Sequence, residues 1–220
     1  GLRAYAQTWE SLVQALGPGY CVYALDQRGR GLSDWATPSS YHTQSYVEDV
    51  EDFVAHLGLQ RFVLLGHSLG GTTLAAALGG AYLAPEQVAS AAFFGTQVSR
   101  TYWPLKIPPV EWSGRFILKR FAQLSGSRLK RGPEDEPIGL ALESMRWHGL
   151  FGRFGEKGKD WWAGLSEVDV PLLAVAGAGD LQDPVWACRK LFDQLGGERK
   201  QFLRLGREEG FDAFGHVDML

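Results

Sequence analysis

Ser68 sits in the run Gly66-His67-Ser68-Leu69-Gly70-Gly71. A serine hydroxyl is a poor nucleophile near neutral pH. To do chemistry it needs a base for its proton and N–H donors for the oxyanion that forms. The Gly-x-Ser-x-Gly spacing supplies a geometry for both. Its glycines remove side chains where a strand and a helix crowd together, and the tight turn pushes Ser68 outward over a sheet edge in strained backbone. The Leu69 amide falls at the helix start, where N–H groups are free and the dipole is positive. The same spacing also fits a plain strand-to-helix turn with a capping serine. Two acids, Asp180 and Asp183, follow the turn Gly177-Ala178-Gly179. Asp183 also stands where it could cap the helix that opens with Pro184. Of the five histidines, His42 and His56 fall in a surface loop and a helix and His148 in a tryptophan-rich segment. His67 is pinned in the turn, where it is a candidate to line the site. His216 follows the last strand, near the C-terminus.

The elements around these residues are legible from apolar spacing. Thr8 to Leu16 carries Trp9, Leu12, Val13 and Leu16 at helical spacing and stops at Gly17-Pro18-Gly19. Cys21 to Leu25 is a short apolar run, read as a buried strand. Ser45 to Leu57 places Val47, Val50, Phe53, Val54 and Leu57 on one helical face. Phe62 to Leu65 is a strand, Thr72 to Gly79 an alanine-rich helix and Val88 to Gly95 a strand. Glu111 to Leu129 and Glu136 to Trp147 are candidate helices. Strand character returns at Pro171 to Gly177, followed by a helix over Pro184 to Leu195 and a strand over Gln201 to Leu205. Near-continuous apolar strands alternating with helices imply an α/β fold, a mostly parallel sheet covered on both faces.

Residues 99–166 differ from the rest. They gather Trp103, Trp112, Trp147, Trp161 and Trp162. The segment reads as a helical insertion over the carboxyl edge of the sheet, between core parts at 1–98 and 167–220. Its tryptophans, Trp103 among them, either line an acyl pocket or form the insertion's own core. Arg115, Lys119, Arg120, Arg128, Lys130 and Arg131 precede Glu134-Asp135-Glu136, which reads as a solvated helix face balanced by an acidic turn.

The chain has 220 residues, a net charge of −3 and 45% hydrophobic residues, enough for one core. No apolar run approaches the roughly 20 residues of a membrane helix. Mild acidity argues against nucleic acid or an anionic membrane as main partner. Cys21 and Cys188 are the only cysteines. They make no disulfide framework, and no metal-ligand spacing is visible, so a reducing, cytoplasmic setting is expected. The spacing leaves oligomeric state open.

On the Ser68 run in this strand-and-helix context, the chain resembles the α/β-hydrolase superfamily, most of all its esterase, lipase and perhydrolase-like branch. The likeness covers Gly1 to about Gly95 and about Pro171 to the end, with the segment between alignable only as a cap. Asp26-Gln27-Arg28-Gly29-Arg30-Gly31-Leu32-Ser33 resembles a family turn whose glycines allow positive φ and whose Asp26 and Arg28 tie the loop. The resemblance implies an α/β-hydrolase three-layer sandwich and a triad in chain order: Ser68 as nucleophile, Asp180 as acid, His216 as base. It implies the Leu69 amide as one oxyanion donor and, from Gly1-Leu2 followed by Trp9, the Leu2 amide as the second. The expected reaction is hydrolysis of a small carboxylic ester without metal or organic cofactor. Thioesterase, lactonase or C–C hydrolase chemistry on the same machinery, or a non-catalytic receptor, stand as alternatives. The family's central strand would precede Gly1, between the strands read at Cys21 to Leu25 and Phe62 to Leu65, and its closing helix would follow His216. The chain is therefore expected to be a fragment, poorly stable and inactive alone.

Overall fold

Why the apolar runs become a sheet is visible in their partners. The computed structural model describes residues 5–37, 40–99, 104, 107–121, 123–124, 136–148, 153–216 and 218–219. Its strands are β1 (Phe62–His67), β2 (Val88–Phe94), the short antiparallel pair β3 (Gln123–Leu124) and β4 (Glu136–Pro137), β5 (Leu172–Gly177) and β6 (Lys200–Leu205). The main sheet runs β1-β2-β5-β6, and every pair in it is parallel. The central strands β2 and β5 are largely buried along their length, whereas β6 at the edge is mostly half-exposed.

The helices are α1 (Glu10–Leu16), α2 (Thr43–His56), α3 (Leu69–Gly79), α4 (Pro108–Leu118), α5 (Ile138–His148), α6 (Trp161–Gly164) and α7 (Val185–Gln194). Together they make the expected α/β three-layer sandwich. α2 buries Val47, Val50 and Val54, the stripe its spacing predicts. α3 is rich in glycine, alanine and threonine and is buried from Thr72 to Leu78, because both the sheet and neighbouring helices press on it. Gly79 lies so close to α6 that a Cβ there would meet the Trp161 carbonyl at 2.3 Å. Trp161 and Leu165 are fully enclosed in the main core with Ala75 to Leu78. Trp161 is thus core, whereas Trp112 is exposed.

One strand expectation fails. Cys21 to Leu25 forms no strand, and Cys21, Val22 and Tyr23 are exposed. A strand persists only where another backbone takes its N–H and C=O groups. Among the described residues none does so here, and β1 pairs with β2 alone. The following turn is well tied. Arg28 grips the Asp49 carboxylate through Nε at 2.7 Å and Nη2 at 2.5 Å and donates to the Ser40 and Ser45 carbonyls. Asp26 accepts the Leu32 amide at 2.9 Å. Gly31 has φ +50°, and a Cβ there would lie 2.2 Å from the Asp26 carboxylate. Asp26 therefore organises the loop, the structural role its motif suggested.

α4 is shorter than the helix expected over Glu111 to Leu129. In α4, Arg115 meets the buried Glu111 at 3.5 Å, so this part of the basic stretch is anchored inward, while Arg120, just past the helix end, lies over the exposed Phe116 ring at 4.1 Å. Arg128, Lys130, Arg131, Glu134 and Asp135 lie outside the described residues. Among the described residues, no helix is long and apolar enough to cross a membrane.

Candidate active site

The turn from β1 into α3 is built by close backbone contact. A Cβ on Gly66 would stand 2.5 Å from the Gly71 Cα, and one on Gly71 would stand 2.0 Å from Thr96 Oγ1. Only hydrogen fits at either position. The strand and helix therefore approach closely enough to fold Ser68 into φ 51°, ψ −121°. A non-glycine residue in that region stores about 1–3 kcal/mol, held in place by its surroundings. The Ser68 N–H donates to the Phe94 carbonyl at 3.0 Å, and the Ser68 carbonyl accepts the Thr72 N–H at 3.0 Å. Trp9 packs edge-on against Phe94, with ring centroids 6.2 Å apart. The Leu69 amide lies in the first turn of α3, where no intrahelical acceptor is available.

The acid and histidine loops are locked to each other and to the strand ends. Gly179 N–H donates to the Phe214 carbonyl at 2.9 Å, and Ala178 N–H to the Leu205 carbonyl at 2.8 Å. Cβ atoms on Gly177 and Gly179 would collide with the Phe214 and Ala213 carbonyls at 2.3 and 2.8 Å. The loops can close only over glycine. His216 Nδ1 consequently reaches Asp180 Oδ2 at 2.8 Å. Asp180 Oδ1 accepts the amides of Gln182 and Asp183, at 2.9 and 2.8 Å. Burial pushes the Asp180 carboxyl up, but the His216 bond and these two amides outweigh it and hold Asp180 below the usual carboxylate range.

Ser68, Asp180 and His216, three distant points in sequence, thus meet at one end of the sheet. The link between serine and histidine differs from the expected one. Ser68 Oγ donates to Asp183 Oδ2 at 3.0 Å. Among the described residues no hydrogen bond joins Ser68 to His216, whose Nε2 lies 3.2 Å from Gln182 Nε2. Asp183 does not cap α7, whose N-cap is Pro184. Its carboxyl instead sits between Ser68, Gln97 at 3.0 Å and His216 Nδ1 at 3.5 Å. Burial pushes Asp183 up and the neighbouring Asp180 charge adds to this, with the His216 charge and the Gln97 and Ser68 bonds opposing it.

Ligand atoms of Asp180, Asp183 and His216 all lie within 4.8 Å of one another, the one cation-capable group among the described residues. Each is already engaged by the hydrogen bonds above. No sequence spacing announced this group, because its members meet only through the fold. Gln97 and Gln182 also escaped the sequence reading, since neither belongs to a motif.

His67 faces the histidine loop rather than open space. Its Nε2 donates to the His216 carbonyl at 2.7 Å, and the two ring centroids lie 4.6 Å apart at a 38° tilt. The residue is 4% exposed, and its Nδ1 finds no partner among the described residues. Burial and the nearby His216 charge lower its pKa from 6.5 to about 4. A buried neutral histidine makes acid destabilising. Between pH 6.5 and about 4 the unfolded chain takes up a proton that the folded chain refuses, so stability is lost as pH falls through that window. His67→Gln, which retains a donor for the His216 carbonyl, is expected to flatten this slope. Urea melts from pH 7 to 4 check this, and an unchanged slope counts against it. Leu2 and Trp103 lie outside the described residues.

Comparison with known proteins agrees with this architecture. A family model described as alpha/beta hydrolase fold matches residues 1–131. N-formylmaleamate deformylase of Pseudomonas putida is 41% identical over 70 residues, 32% of this chain and 26% of that protein. 2-(Acetamidomethylene)succinate hydrolase of Mesorhizobium japonicum is 33% identical over 70 residues, 32% of this chain and 25% of that protein. The similarity thus spans about a quarter of the length of these curated relatives. The crystal structure of Paleococcus ferrophilus monoacylglycerol lipase superposes with a TM-score of 0.67 at 18% identity, covering 98% of this chain and 83% of that one. With a sheet of this topology, a strained serine at the β1–α3 turn and a family match over more than half its length, the chain belongs to the α/β-hydrolase fold family.

Proposed function

We propose that the chain carries the centre of a serine acyl hydrolase that works through an acyl-enzyme. The observation that supports this best is Ser68 at positive φ beside a His216–Asp180 pair only 2.8 Å apart. In the proposed cycle the Ser68 hydroxyl turns from Asp183 to His216 Nε2, and His216 leaves Gln182. Oγ bonds to the acyl carbon while His216 takes its proton, then returns that proton to the departing alcohol or amine as the old bond breaks. Asp180 keeps the ring oriented and stabilises the imidazolium. The Leu69 amide holds the oxyanion, with the Leu2 amide as second donor. Water, deprotonated by His216, then bonds to the acyl carbon; the bond to Oγ breaks, His216 returns the proton to Ser68, and the acid leaves. Residues 99–166 act as a cap that selects the substrate, with Trp103 as a pocket residue, whereas His67 props the His216 loop from beneath rather than lining the pocket.

Hydrolysis of a small carboxylic ester is the first form of this reaction. Cleavage of a C–N bond is the second, favoured by the similarity to a deformylase. A fluorophosphonate probe on the full-length protein tests the shared chemistry. The label is expected on the peptide containing Ser68. A well-folded protein that takes no label is a ligand-binding relative instead.

A further inference from the structure

Asp183 touches the nucleophile yet has no part in the proton path through His216 and Asp180. Its Oδ2 accepts the Ser68 hydroxyl at 3.0 Å, while Gln97 Nε2 holds Oδ1 at 3.0 Å and so aims the carboxyl. The residue is 6% exposed. When Ser68 turns its hydrogen toward His216, Oδ2 loses its donor. A buried acceptor left without a donor is costly. At that moment Oγ is bonded to the acyl carbon. The substituents of that carbon are one bond further on, within reach of Oδ2. The oxyanion is taken by the Leu69 amide, and the leaving-group atom must lie toward His216 to receive its proton; Asp183 Oδ2 borders that ring, 3.5 Å from His216 Nδ1. An N–H there restores the lost hydrogen bond. An ester oxygen there sets its lone pairs against those of the carboxylate.

Resting on the reading of Ser68 as nucleophile, we propose that Asp183 is a specificity-determining residue. It favours acyl compounds with an N–H on the acyl centre, such as secondary amides, formamides and carbamates, over esters.

A p-nitrophenyl ester and a p-nitroanilide with the same acyl group test this on the full-length protein, since they differ only in carrying O or N–H as the leaving-group atom. The quantity read is the ratio of kcat/KM values, anilide over ester. Asp183→Val is expected to lower it by about 10-fold or more. Asp183→Asn, which keeps an acceptor oxygen and the shape of the side chain, is expected to lower it less. If the valine variant does not fold, the asparagine variant carries the test. An unchanged ratio, an equal loss with both substrates, or a wild type that cleaves the ester but not the anilide overturns the proposal. Folded wild type that takes no fluorophosphonate label overturns the Ser68 reading itself, so the two failures are distinct.

Discussion

Ser68→Ala is expected to lower kcat/KM of the full-length protein by on the order of 10⁶. Removing Oγ removes the atom that forms the acyl-enzyme, and no neighbouring hydroxyl replaces it, because Thr72 and Thr73 donate back into their own helix. His216→Ala is expected to cost a similar factor, and the double variant little more, because residues acting as one unit are not additive. Asp180→Asn is expected to cost on the order of 10⁴, by losing control of the imidazole tautomer. A p-nitrophenyl ester series together with a matched anilide series reads all four proteins. Residual activity within 100-fold of wild type in Ser68→Ala would move the chemistry away from this turn. If Asp183→Asn, rather than Asp180→Asn, produced the large loss, Asp183 would be the triad acid. The 2.8 Å bond from Asp180 to His216, against 3.5 Å from Asp183, argues for Asp180.

Trp161→Ala is expected to be the most damaging single change to stability. The side chain is fully buried in the main core, against Phe154 at 5.4 Å and under α3. Truncating it removes a large apolar area and leaves a cavity that close-packed Gly79 and Gly164 backbones cannot collapse to fill. A Cβ on Gly164 would already overlap the Gly79 carbonyl at 1.9 Å. Losses of about 3–5 kcal/mol are usual for such a change, and roughly 10 °C in Tm follows for a chain of this size. Thermal melts followed by near-ultraviolet circular dichroism check it. Because α3 also carries the Ser68 turn, fluorophosphonate labelling should slow before the protein melts. A shift of only a degree or two would show that α6 is dispensable to the core.

Much of this architecture was written locally. The apolar stripe of α2, the run of β1 and the stop at Gly79 each follow from side-chain size and spacing over a few residues. The Ser68 turn follows from glycines whose missing side chains allow close packing. The family resemblance implied Ser68, Asp180 and His216 as a set, and the fold brings all three to one end of the sheet. Cys21 to Leu25 shows the limit. It has the composition of a buried strand, but a strand is defined by a partner that lies elsewhere in the chain.

The tertiary structure alone decided the wiring among the polar groups. Asp180 and Asp183 are the same residue type in the same loop, and no local rule assigns one to the histidine and the other to the serine. The assignment comes from the loop's path, which is set where Gly177 and Gly179 press against the Phe214 and Ala213 carbonyls. Sequence spacing determined which residue could be the nucleophile, because a tight turn is a short-range property. Which carboxylate faces Ser68 was settled only by contacts between distant loops, since a hydrogen bond of 3.0 Å depends on where the whole backbone puts its ends.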